Sequence, residues 1–203
     1  MSSRPISSTR TEGACVTDLS PLTALGTPVA ETVTFGALTL RENATVALAS
    51  VSLRRGAATP APFGLVLPAP RGWVRGDGVG AFWTGPGQWM IEGEGRAAED
   101  FAAALVAHCP GCSVTEQTDG FVVFEMVSSA GPAPIDRLLE RLVNIDTGAF
   151  GPGSATRTGF EHMSIFVIRR AAERLAVLGL RSAAGSIWHG LTGAAERMEG
   201  TLA

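Results

Sequence analysis

Charge is scarce in this sequence: Asp, Glu, Lys and Arg make up 17% of its 203 residues, against about 25% in ordinary soluble domains. Nine Phe and four Trp accompany that deficit. Interface cores are depleted in charge and enriched in aromatics, so one reading is a surface partly covered by partner chains. A composition rich in Ala and Gly accounts for it equally well. Basic clusters are missing too. The net charge is −3 and the Arg are scattered, which leaves no electrostatic footprint for nucleic acid. No apolar run approaches the roughly 18 residues of a bilayer span, so no membrane association is expected. Met1–Thr11 carries two Arg with no apolar segment behind them, unlike a secretory signal. Three Cys are an odd number in a chain long enough to bury its own core. That favours a reducing, cytoplasmic setting over a disulfide framework.

What the chain does contain is a succession of short periodic segments. Residues 1–30 have no sustained period and read as an irregular N-terminal arm. Residues 31–203 read as one α+β domain, with a split into two subdomains near 130–150 as an open alternative. Thr32–Leu40 and Thr45–Leu53 are expected strands around the turn Arg41-Glu42-Asn43-Ala44. Arg54–Gly72, rich in Pro and Gly, is a loop with one short helical turn at its middle. Val79–Trp83 and Gln88–Glu92 are strands about Gly85-Pro86-Gly87, and Ala97–His108 is a helix with Phe101, Leu105 and Val106 on one face. Ser113–Gln117 and Phe121–Val127 are strands across Asp119-Gly120, a strong hairpin signal. The clearest helix follows. Ile135, Leu138, Leu139, Leu142 and Val143 recur at i, i+3, i+4, i+7 and i+8, with Pro134 in the first turn. Asn144–Gly159 reads as a loop, Met163–Arg169 and Arg174–Leu180 as strands, and Ala183–Arg197 as a closing helix. Hairpins alternating with helices imply antiparallel sheets covered by helices, in ferredoxin-like halves of an α+β fold.

Several motifs invite a chemical reading. Gly93-Glu94-Gly95-Arg96-Ala97-Ala98 fits G-x-G-x-x-A between a strand and a helix, with Glu116 near the end of the next strand. A dinucleotide site needs parallel strands joined by crossovers. The flanking turns predict hairpins, and Glu94 puts negative charge where a phosphate would sit. A strand-to-helix turn is the expected role. Cys109-Pro110-Gly111-Cys112 follows His108 and closes a helix, whereas a redox C-x-x-C opens one and borrows its dipole. Zinc would need two further ligands, available from Cys15, His162 or His189 only by tertiary coincidence. The pair is expected to be a helix-ending turn. No G-x-S-x-G occurs, and Ser154 sits in a predicted loop without a His or carboxylate pattern. His162 and His189 read as packing or surface residues. The carboxylates Glu99, Asp100, Glu196 and Glu199 fall on polar helix faces. No catalytic, cofactor-binding or metal-binding residues are therefore assigned. Trp73, Trp83, Trp89 and Trp188 are core fillers or interface anchors.

Two stretches carry a resemblance. Phe82-Trp83-Thr84-Gly85-Pro86-Gly87-Gln88-Trp89-Met90-Ile91 resembles the W-x-G-P-x-x-W-L strand–turn–strand of the gamma subunit of heterotetrameric sarcosine oxidase, a relative of the glycine-cleavage aminomethyltransferase. Asn144-Ile145-Asp146, Phe150, Pro152-Gly153 and Thr156-Arg157-Thr158 resemble that family's C-x-L-D-L … F-x-P-G-x-x-x-x-T. Ile165–Arg170 is similar to its apolar strand ending in basic residues. Arg181-Ser182 with Ile187-Trp188-His189-Gly190-Leu191 is similar to its closing helix. Leu53-Arg54-Arg55-Gly56 and Leu65-Val66-Leu67-Pro68 fit its first strand and its L-G-x-x-L-P segment. The resemblance spans about residues 45–198. Asn144 stands where the family usually has Cys, and Thr147 where Leu is common; these departures bear on the substrate of the parent complex.

The resemblance implies a non-catalytic structural subunit with the folate-binding aminomethyltransferase fold, packed with alpha, beta and delta subunits in a cytoplasmic heterotetramer of sarcosine catabolism and one-carbon metabolism. That complex oxidises the N-methyl group of sarcosine, giving glycine, hydrogen peroxide and a one-carbon unit. The resemblance also implies that FAD, FMN, NAD, zinc and tetrahydrofolate belong to the partner subunits and none to this chain. Trp83, Trp89, Arg157 and Trp188 are the expected interface residues. Two alternatives stay open: the equivalent subunit of another secondary-amine or N-methylglutamate dehydrogenase, and a stand-alone folate-binding protein.

Overall fold

Strands of this chain alternate apolar and polar residues, or are apolar on both faces, so each sheet has to be covered on one side or two. The computed structural model describes residues 20–199. Residues 1–19, including Cys15 and most of the expected arm, lie outside the described residues. The elements run β1 Thr32–Phe35, β2 Leu38–Glu42, β3 Ala47–Leu53, β4 Trp73–Arg75, β5 Val79–Gly85, β6 Gln88–Gly93, α1 Phe101–Val106, β7 Cys112–Glu116 and β8 Phe121–Ser128. They continue with α2 Ala133–Leu142, β9 Ser154–Phe160, β10 Met163–Ala171, β11 Arg174–Leu180 and α3 Ala184–Glu199.

Two antiparallel sheets result. One has six strands in the order β1-β2-β8-β11-β10-β9, the other five in the order β4-β5-β6-β3-β7. Three cores separate four layers. Leu40, Phe124 and Val177 of the larger sheet pack against Ile135 and Leu138 of α2 and Ile187 and Leu191 of α3. Phe101 and Leu105 of α1 pack on Ala49 and Ile91 of the smaller sheet. The two sheets meet face to face over Leu48, Phe82, Met90, Val123, Ile168 and Leu178. Burying each large aliphatic chain contributes about 1.5–3 kcal/mol, so these layers carry most of the stability. The fold is α+β, as expected.

The middle hairpin is not. β7 and β8 do not pair across Asp119-Gly120: β7 pairs with β3, whereas β8 lies between β2 and β11 in the other sheet. Local bonds explain the crossing. The Glu116 carboxylate accepts from the backbone N–H of Gln117 and of Thr118 and from the Thr118 hydroxyl. Gln117 N donates to Leu48 O at 2.8 Å, and Leu48 N donates to Thr118 Oγ1 at 2.9 Å. The turn is thus anchored to β3, and the chain leaves it for the second sheet. Asp119 and Gly120 lie within this short helical turn, not at a hairpin tip.

Other differences are smaller. Thr32–Leu40 divides into β1 and β2 because Gly36 adopts φ +52°, where a non-glycine residue is strained. β9 replaces the second half of the expected loop Asn144–Gly159; as an edge strand it buries only Ala155 and Phe160, which leaves little alternation to read. α1 is shorter than Ala97–His108. Ala97 N is bonded to Thr45 O at 3.0 Å, and Asp100 Oδ1 caps the helix by accepting from Ala103 N at 2.9 Å. The Pro-rich loop has a tight turn at Pro62–Gly64, where a helical turn is expected, but Phe63 lies in the left-handed region at φ +51°, so the turn is not a regular helical one.

Candidate functional site

β6 and β7, joined through Gly93–Ala98 and α1, each pair antiparallel with β3, which lies between them, so the segment opens a split crossover and not the adjacent parallel pair of a dinucleotide site. Its residues are engaged structurally. Glu94 pairs with Arg75 at 2.5 Å, and Arg96 pairs with Glu99 while its guanidinium lies 4.8 Å from the Phe101 ring centroid. Glu116, at the end of β7, accepts from Ala102 N at 2.9 Å at the start of α1. Burial raises its pKa, and the hydrogen bonds from Thr118, Ala102 and Gln117 outweigh that and hold it below the ordinary value.

Cys109 and Cys112 are both buried, in the core between α1 and the smaller sheet. Burial first, and the neighbouring Cys112 second, push the Cys109 thiol up to about 11. Burial likewise raises Cys112, against the opposing charge of Arg54. A thiol raised this way is a poor nucleophile. A water-soluble disulfide reagent is therefore expected to leave both thiols unmodified in the native protein at pH 8 and to titrate them after denaturation. Modification of Cys109 or Cys112 within minutes in a native Cys15→Ser variant would contradict this placement. Because the folded pKa of Cys109 exceeds the unfolded one, its contribution to stability is complete below pH 9 and is lost as the pH rises towards 11. Among the described residues, no three His, Cys, Asp or Glu side chains group as a metal site. His162 and His189 are exposed, in the β9–β10 turn and on α3.

The densest charge lies between the two sheets. Arg170 of β10 donates to both oxygens of Glu92 on β6, at 2.6 and 2.9 Å, and its Nε stands 3.1 Å from Glu125 of β8. Trp73 Nε1 donates to Glu92 at 2.8 Å, and the Arg170 guanidinium lies 5.1 Å from the Trp73 ring centroid. Gly80 leaves room for this bond, since a Cβ there would come within 2.8 Å of Glu92 Oε2. Burial works against the charge on Arg170, and Glu92 and then Glu125 more than restore it. Glu125 behaves oppositely: burial outweighs the attraction of Arg170 and raises its pKa. Sequence reasoning assigned these groups no role. The available signal was a carboxylate within an apolar strand, Met90-Ile91-Glu92 and Phe124-Glu125-Met126, each implying a buried cation. One Arg chelating one carboxylate and flanked by another has no free nucleophile, and its chemistry is cohesive.

A cleft of about 450 Å³ opens at the end of the sandwich, where both sheets meet the start of α3. Met90, Phe121, Phe166 and Ile187 give it an apolar floor, and Arg157 and His162 stand on its rim. Arg157 Nε donates to Ser164 Oγ at 2.7 Å, and its guanidinium lies 5.9 Å from the Phe166 centroid.

This layered arrangement has counterparts among solved structures. A chain of heterotetrameric sarcosine oxidase from Corynebacterium sp. U-96, in complex with pyrrole 2-carboxylate, is similar with a TM-score of 0.68 and 22% identity, over 83% of this chain and 89% of that chain. The fold is that of a sarcosine oxidase chain. Glycine cleavage system aminomethyltransferase T from Bartonella henselae is similar with a TM-score of 0.52 and 11% identity, over 75% of this chain and 44% of that chain. The chain matches no protein-family profile and no curated protein by sequence.

The expected interface residues do not share one place in this fold. Trp89 is 7% exposed in the core beneath α1, and its Nε1 donates to Pro68 O at 2.9 Å. A ring satisfied and enclosed in this way by its own chain offers almost no surface. Trp83 is half-buried on the α1 side of the smaller sheet. Trp188 is half-buried on α3, its ring 5.3 Å from that of Phe124. Arg157 is exposed.

Proposed function

We propose that the chain is a structural, non-catalytic subunit of a sarcosine-oxidase-type flavoenzyme complex, which demethylates sarcosine oxidatively to glycine, a one-carbon unit and hydrogen peroxide. The observation that carries the reading is the extent of the fold likeness. It takes in 83% of this chain and 89% of one chain of a heterotetrameric enzyme, so the correspondence is nearly chain to chain. The aminomethyltransferase likeness takes in less than half of that protein, as expected where a fold is shared but the remaining parts are not. In this reading the partners are alpha, beta and delta subunits in the cytoplasm. FAD, FMN, NAD, zinc and tetrahydrofolate are held by those partners, and this chain supplies packing surface.

Co-expression with the flavin-bearing subunits tests the proposal. The expected result is one complex that carries flavin and produces peroxide from sarcosine. A chain that elutes alone while the flavoprotein stays fully active would sink it. The aminomethyltransferase likeness favours a stand-alone folate-binding protein as a second reading, and tetrahydrofolate titration of the isolated chain distinguishes the two. N-methylglutamate in place of sarcosine as the oxidised substrate would assign the chain to the related dehydrogenase.

A further inference from the structure

Arg157 is a cation held in place without an anion. Its Nε is engaged by Ser164 and its plane is steadied by Phe166, yet among the described residues it forms no ion pair. The residues lining the cleft include no carboxylate. Glu161, the nearest acid along the chain, is directed elsewhere: its Oε1 lies 3.4 Å from the position a Cβ on Gly190 of α3 would occupy. The hydrogen bond to Ser164 and the Phe166 ring 5.9 Å away restrict the side chain of Arg157, so less freedom is lost when its outer nitrogens meet an acceptor. Beside it, the apolar floor runs from Phe121 and Phe166 out to Leu180, which is 55% exposed.

We propose that this cleft receives a partner chain, which presents a carboxylate to Arg157 and an adjacent aliphatic or aromatic side chain to the Phe121–Phe166 floor. The inference rests on the reading of the chain as a subunit and names the surface that reading requires. The distribution of polar groups favours a protein partner. A small-molecule pocket encloses most of its ligand and points its polar groups inward from several sides. Here Arg157, His162 and Ser164 stand exposed on one wall above an apolar centre, the arrangement of an interface core with a polar rim. Charge is complementary for an acid, because Arg157 gives the wall a cation and the described residues lining it include no carboxylate.

The test uses the full chain co-expressed with the flavin-bearing subunits. Hydrogen exchange over residues 157–166 is compared for the free and assembled chain, and the affinity of assembly is measured for wild type, Arg157→Lys and Arg157→Glu. Protection of this segment on assembly is expected, with Arg157→Glu weakening assembly by about tenfold or more and Arg157→Lys recovering part of the loss. The exposed position of Arg157 leaves the circular dichroism spectrum and Tm of both variants unchanged. Assembly that leaves the segment unprotected and the Arg157→Glu affinity unaltered would overturn this inference while the subunit reading stands. Failure of the wild-type chain to assemble overturns both. Benzoate protecting the cleft in the free chain, with no protection on assembly, would replace the partner by a small carboxylate ligand.

Discussion

Arg170→Ala is expected to destabilise the protein by about 3–5 kcal/mol, because it leaves two buried carboxylates without their cation. In a chain of this size the loss corresponds to a fall in Tm on the order of 10 °C, measured by calorimetry or by urea titration. The guanidinium and both carboxylates are almost fully enclosed, at 11%, 5% and 4% side-chain exposure, so water cannot replace what is removed. The damage should also spread, since Glu92 joins the smaller sheet to Arg170 of the larger one and orients Trp73. Glu125→Gln is the control with the opposite expectation. Burial raises the Glu125 pKa, so the group contributes fully below its ordinary 4.5 and withdraws that stability as pH rises through the folded value. A neutral amide of the same shape removes that dependence and should leave stability at pH 7 unchanged or higher. An Arg170→Ala protein as stable as wild type would show that the cluster does not hold the sheets together.

The second large effect is expected at Phe101, which is fully buried beneath Gly93 at the start of α1. Phe101→Ala should cost about 3–5 kcal/mol by removing the ring that seats α1 on the smaller sheet. Gly93→Ala is the complementary substitution. A Cβ there would stand 2.7 and 2.9 Å from two atoms of the Phe101 ring, and overpacking of an enclosed aromatic costs about 1–3 kcal/mol. In the Phe101→Ala background that clash has no partner, so the two losses should not add. Equilibrium urea titration of the two single variants and the double variant completes the cycle. Additive losses would mean that Gly93 serves something other than room for this ring.

This cycle also shows how a short motif misleads. Gly93 and Gly95 match a phosphate-loop pattern, but Gly93 makes room for the Phe101 ring, and Glu116 closes the start of α1. The strand neighbours decide between those readings, and neighbours in a sheet are set by partners distant in sequence. The Asp119-Gly120 turn illustrates the same limit. Asp-Gly between two strands reads as a hairpin, yet the bonds from Thr118 and Gln117 to Leu48 tie it to a strand about seventy residues earlier and send β8 into the other sheet.

Local periodicity and turn residues determined α2, α3, the pairing of β5 with β6 across Gly85–Gly87 and of β10 with β11, and the α+β class. Each depends on residues close along the chain, whose side-chain repeat follows from backbone geometry. The division into two sheets, the edge strand β9, the buried triad of Glu92, Glu125 and Arg170, and the cleft beside Arg157 were decided only by the tertiary structure. Those features join residues up to about ninety positions apart, and the physical reason is that desolvation and charge pairing act across space. A carboxylate in an apolar strand announces that a cation must be near, and only the packing of the sheets determines which one.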